Sequence, residues 1–137
     1  MANTILLDAA GSKREEGTLD TVASPGMNIV LASDGNFDPG AGATDATLPR
    51  IVVEDSLQGK TVSDAYVVGE RVFYMIPRRG DVVNILGLSG QTLNKAVLVE
   101  ADSAGKFIIG TGASVQFIIE EDAGVLSADK LVAGRAL

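Results

Sequence analysis

Apolar side chains recur along this chain in short runs separated by glycine-rich turns, and the most sustained run covers residues 71–88. In its first half, Val72, Tyr74 and Ile76 share one face of an extended strand while Arg71, Phe73 and Met75 share the other. Both faces are largely apolar, which predicts a central strand or a strand with one face in a subunit contact. Pro77-Arg78-Arg79-Gly80 follows with the parts of a tight reversal. Proline presets φ at the second position of a turn, and glycine accepts the left-handed conformation that closes it. The pattern therefore predicts a hairpin between residues 71–76 and the apolar run after Asp81.

The rest of the chain repeats this grammar on a smaller scale. Met27, Ile29 and Leu31 alternate with Asn28, Val30 and Ala32, as on a half-buried strand. Residues 34–45 form a long stretch of turn formers, and residues 50–54, introduced by Pro49, are β-branched and strand-like. A turn-rich connection, residues 55–64, leads to Tyr66. Residues 96–101, 106–109 and 115–120 read as further strands. Two readings stay open for residues 122–137: Ser127 capping a short helix through Ala133, or a final strand over residues 131–137. Six to eight short strands predict a mainly β fold, a small compact β-barrel or β-sandwich.

Residues 1–26 follow neither strand nor helix periodicity. They hold one apolar cluster, Ile5-Leu6-Leu7, the charge run Lys13-Arg14-Glu15-Glu16 and a stop at Pro25-Gly26. We read them as an extended N-terminal arm that lies against something else, followed by a β-rich domain over residues 27–137. A free tail gains nothing from three branched apolar side chains.

Composition narrows the chemistry more than the fold. A chain of 137 residues is one domain's length, and 46% apolar with only 4% aromatic residues means an aliphatic core. With no Cys and no His, disulfide frameworks, thiolate metal sites, the commonest general base and the commonest zinc ligand are removed. A formal charge of −7 has the wrong sign for a surface that tracks phosphate backbones. No run approaches the ~18–20 apolar residues of a membrane span, and the N-terminus lacks a basic n-region. The expectation is no nucleic acid, no membrane, no export signal, no cofactor and no enzyme activity.

Four local patterns suggest sites, and each has a plainer reading. Gly59-Lys60-Thr61 resembles the end of a phosphate loop, but Glu54 stands where the first glycine belongs and would repel phosphate. Ser127-Ala128-Asp129-Lys130 fits a serine–lysine motif whose partner motifs are missing. Asp34, Asn36, Asp38 and Asp45 fall at positions 1, 3, 5 and 12 of a calcium loop, with Pro39 in place of its glycine and no flanking helices predicted. Glu120-Glu121-Asp122 could pair carboxylates, yet neighbouring strand residues point to opposite faces. The pair Arg78-Arg79 at the turn has two readings: contact with an acidic surface, because guanidinium pairs carboxylates bidentately, or two arginines that are simply solvated.

Two blocks carry a family likeness: residues 6–16, Leu6-Leu7-Asp8-Ala9-Ala10-Gly11-Ser12-Lys13-Arg14-Glu15-Glu16, and Gly69-Glu70-Arg71-Val72-Phe73-Tyr74 with Pro77-Arg78-Arg79-Gly80-Asp81. In these the chain resembles the small capsid decoration, or cement, proteins of tailed bacteriophages. The resemblance implies a structural virion protein on the outer surface of the head, made in the host cytoplasm. Its partners would be the major capsid protein and neighbouring copies of itself in a homotrimer, and it would stabilise contacts between capsid subunits. The contact residues so implied are Ile5, Leu6, Leu7, Lys13, Arg14, Glu15, Glu16, Arg78 and Arg79. Removing residues 1–17 would then leave the domain folded and abolish attachment. The chain departs from the family at its end, where a longer closing strand is expected after Ala133-Gly134-Arg135-Ala136-Leu137. The competing class is a carbohydrate- or host-surface-binding β module, against which stand two Tyr and no Trp.

Overall fold

The computed structural model describes residues 4–8, 13–41, 49–110, 112 and 114–137. Among them run β1 (Leu6–Asp8), β2 (Lys13–Thr18), β3 (Ile29–Leu31), β4 (Phe37–Pro39), β5 (Ile51–Val52), β6 (Arg71–Ile76) and β7 (Val82–Gly87). After these come β8 (Thr92–Leu93), β9 (Leu98–Ala101), β10 (Phe107–Ile109), β11 (Phe117–Ile119), β12 (Gly124–Val125) and β13 (Lys130–Ala136). The helical content of the described residues is a single 3-10 turn, η1 (Ser56–Gln58).

Strands β7, β10, β9, β11 and β13 close into a five-stranded barrel. The fold is therefore mainly β, as the pattern predicts, and the barrel alternative is the one realised. β13 lies antiparallel along β7 from Lys130↔Gly87 to Arg135↔Val82. The other edge of β7 is divided: β1 pairs with Val82 and Val83 at one end, and β10 runs parallel to it at Gly87. Inward residues such as Val83, Ile85, Val99, Ile119 and Val132 fill the barrel around Phe107 and Phe117. Those two rings meet edge to face with centroids 5.4 Å apart, a geometry that places the positive ring edge on the negative face.

A second, smaller ring sits beside the barrel. β6 pairs with β2 on one edge and β5 on the other. β5 in turn bonds to residues 27–29, and β3 pairs with β4. The ring closes at Leu19, just past β2, whose N–H donates to Glu70 O while the next N–H, of Asp20, donates to Phe37 O. Successive amides of an extended chain point to opposite edges, so this one segment joins both sides. Inside lie Leu19, Ala23, Ile29, Phe37, Val52, Tyr66, Val72 and Tyr74.

β6 is the wall between the two cores. Val72 and Tyr74 face the small ring, while Met75 faces the barrel core with Ile51 and Val53. The two-faced apolar pattern of this strand is thus a central-strand pattern. The predicted hairpin does not form, because β6 and β7 belong to different sheets. Residues 77–81 do turn the chain, with Asp81 Oδ2 accepting the Arg78 N–H at 2.8 Å. The turn, however, docks on β13: Gly80 N–H donates to Ala136 O and Ala136 N–H to Asp81 O, each at 2.8 Å. Local turn chemistry permits a reversal, but which edges pair is decided by the two cores that each strand must cover.

Both remaining ambiguities resolve through long-range pairing. Residues 130–136 are a strand, the longest of the described residues, because β7 and β11 both offer it an edge. Residues 4–8 and 13–18 are extended, as expected of an arm, but they lie against this chain's own sheets. Ile5 is fully buried in the barrel core. Its carbonyl accepts the Asn84 N–H at 2.7 Å, and Asn84 Nδ2 donates to Thr4 O at 2.7 Å.

Candidate functional site

The contact residues suggested by sequence separate into three groups. Ile5 is committed to the core, so it offers no surface to a partner. Leu7, on the same short segment, is 48% exposed; Leu6 pairs through its backbone with Val83, and its side chain lies outside the described residues. Glu54 holds the segment in place, accepting from Thr4 Oγ1 at 2.7 Å and from the Ile5 N–H at 3.3 Å.

The charge run forms β2, where alternation sends its members to different surroundings. Lys13 pairs through its backbone with Ile76, its side chain lying outside the described residues. Glu15 accepts from the Tyr74 hydroxyl at 3.0 Å on the small-ring side. Burial raises the pKa of Tyr74, and the Glu15 carboxylate adds to the rise. Arg14 and Glu16 point the other way. Arg14 donates to Glu54 O at 3.2 Å and lays its guanidinium over the Phe73 ring, 4.8 Å from the centroid, a cation–π contact. Glu16 lies 3.7 Å from Arg71. Arg78 and Arg79 are exposed on the turn that docks on β13.

The four local patterns are structural in form. Gly59, at φ 73°, terminates η1 in the left-handed conformation, and Lys60 pairs with Glu70 at 3.6 Å. Ser127 lies in a bend and Lys130 begins β13, so no helix sets them one turn apart. Glu120 pairs with Arg135, Glu121 accepts the Ala133 N–H and Asp122 accepts the Lys95 N–H, which gives each carboxylate its own separate partner.

Of the calcium-spaced residues, Asp45 lies outside the described residues. Asp34 Oδ1 accepts the Asn36 N–H at 3.0 Å, and Asp38 accepts from Thr21 Oγ1 at 2.7 Å within β4. The fold brings Asp20 to this loop, where Asn36 Nδ2 donates to it at 2.9 Å. Hydrogen bonding with Asp34 raises the pKa of Asp20; the Asn36 N–H and then Asp20 lower that of Asp34. Among the described residues no group of three or more carboxylates is placed to hold a metal ion.

Sequence reading missed a cleft of about 510 Å³ at the end of the β6 sheet. Asp55, Leu57, Gln58 and Lys60, on and around η1, form one side; Glu70, Arg71 and Phe73 form the other. Arg14 and Glu16 adjoin it through Phe73 and Arg71. Asp55 is only 5% exposed, and its Oδ1 atom has no hydrogen-bond partner. Nothing in the sequence signals this, since Asp55 reads as one more turn former in a turn-rich stretch.

No protein-family model matches the chain, and no curated protein matches it. Among solved structures it is similar to the crystal structure of the head fiber gp8.5 N base in bacteriophage phi29. The two share 9% identity over 92% of this chain and 94% of that one, with a TM-score of 0.59. What they share is the fold. The matched structure is of a phage head fiber base, and the likeness does not specify the cement class that the sequence resemblance names. Among the described residues no helix is long and apolar enough to cross a membrane.

Proposed function

We propose that this protein is a structural component of the outer surface of a phage head, acting as the base of a surface appendage. The observation that carries the reading is the fold shared with a head fiber base along nearly the whole of both chains. Exposed Leu7, Arg78 and Arg79 offer apolar and cationic contacts to such a surface. A modest contact of this kind gains strength when it is repeated over a lattice. The narrower cement reading, a homotrimer clamping major capsid subunits, shares the attachment step and differs in its consequence for the shell.

The test is to add purified protein to heads that lack it, then measure co-sedimentation and the temperature at which the heads release DNA. Binding that leaves the release temperature unchanged is the expected result. Binding that raises it by several degrees replaces the appendage reading with the cement reading. Absence of binding removes both and leaves a second reading, a host-surface- or carbohydrate-binding β module. The cleft beside η1 is the specific observation in favour of that module.

A further inference from the structure

The geometry points to the cleft between η1 and the start of β6 as a binding site for a neutral, hydroxyl-rich ligand of mono- or disaccharide size. This rests on the surface-binding reading above and names its ligand class. Asp55 is the anchor. A buried carboxylate oxygen without a partner is costly; Oδ1 is such an atom, enclosed behind the cleft of about 510 Å³ that Asp55 helps to line, a volume inside the ~300–1,000 Å³ range of small-molecule sites. A donor from a ligand hydroxyl would satisfy that atom.

The remaining walls select for a polyol over an ion. The carboxylates of Asp55 and Glu70 are balanced by the cations of Lys60 and Arg71, and Lys60 already pairs with Glu70 at 3.6 Å. The site therefore carries no net formal charge to attract an ion of either sign. Hydroxyl groups both donate and accept, which suits a lining of carboxylate, amide and guanidinium groups. Phe73 and Leu57 add apolar surface for the C–H face of a ring. One face of Phe73 is covered by Arg14, so Leu57, 83% exposed, is the larger contact. Oδ1 is closed off in the free chain, so binding requires the exposed turn η1, none of whose residues is buried, to shift as the ligand enters.

The experiment is an amide NMR titration of the full chain with maltose, lactose and chitobiose, each taken to about 10 mM, which detects millimolar affinity. Saturable shifts confined to Gln58, Lys60 and residues 70–73 with at least one sugar are expected. Asp55→Asn should weaken that binding about tenfold, because the ligand hydroxyl would then donate to a neutral amide oxygen instead of a carboxylate. Gln58→Ala, on the exposed turn, should weaken it about threefold with the spectrum otherwise unchanged. No shifts with any of the three sugars, or shifts centred elsewhere, would overturn the proposal. So would a tetralysine peptide binding this cleft when the sugars do not, because that would make it a site for a basic protein segment. Head co-sedimentation of the unaltered protein, measured separately, distinguishes failure here from failure of head attachment.

Discussion

Tyr66 fills the small ring with its ring and ends in a hydrogen bond from its hydroxyl to Val53 O at 2.7 Å. Burial raises its pKa from 10.0 to about 12. The folded state therefore holds this proton more tightly than the unfolded state. The associated stability is fully present below pH 10.0 and is lost as pH rises toward about 12. Alkaline unfolding followed by tyrosinate absorbance should show tyrosine ionisation coinciding with loss of structure, and Tyr66→Phe should reduce that coupling to the part that buried Tyr74 contributes. The same substitution should cost about 1–2 kcal/mol in chemical denaturation, since a buried carbonyl loses its donor. Gly105 is another residue whose identity is set by packing. Its φ is 80°, and a Cβ there would lie 2.4 Å from Asn28 O.

At the level of elements, the N-terminal segment is where sequence and structure part. The sequence pattern treats residues 1–17 as dispensable to the fold, yet they supply Ile5 to the barrel core and β2 to β6. Emptying a site like that of Ile5 costs about 2–5 kcal/mol, against a total stability of about 5–15 kcal/mol for a domain. Loss of β2 in addition uncovers a whole edge of β6 and separates Glu15 from Tyr74. Deleting residues 1–17 should therefore unfold the protein or lower its melting temperature by well over ten degrees, an effect of about that size following from several kcal/mol. A deletion that melts like the full chain in circular dichroism would show that these contacts contribute little. Attachment is better tested by charge reversal at Arg78 and Arg79, whose side chains the fold leaves exposed.

For the whole molecule, the consequence of β6 is cooperativity. One strand walls both cores, so neither can open without uncovering the other. Both tyrosines sit in the small ring, while the barrel core holds Phe107 and Phe117. Near-ultraviolet circular dichroism from tyrosine thus reports the small ring, and far-ultraviolet signal reports all strands. The two should trace one coincident urea transition. Separate midpoints would mean that the rings are independent folding units.

Much of this molecule was legible in its residues. Alternation at Met27, Ile29 and Leu31, the two apolar faces of residues 71–76 and the glycine-rich turns each report a local backbone preference, and the mainly β class follows from them. The lack of Cys and His likewise removes whole classes of chemistry without any coordinates. Strand partners are another matter. That β6 pairs with β2 and β5 instead of β7, that residues 130–136 become a strand, and that Ile5 belongs to the core all depend on contacts between residues far apart in the chain. The cleft is of the same kind, since Asp55 and Phe73 meet only after β5 and β6 have paired. A periodic pattern states which face of a segment seeks cover; the competition among all such faces for two small cores decides what covers it.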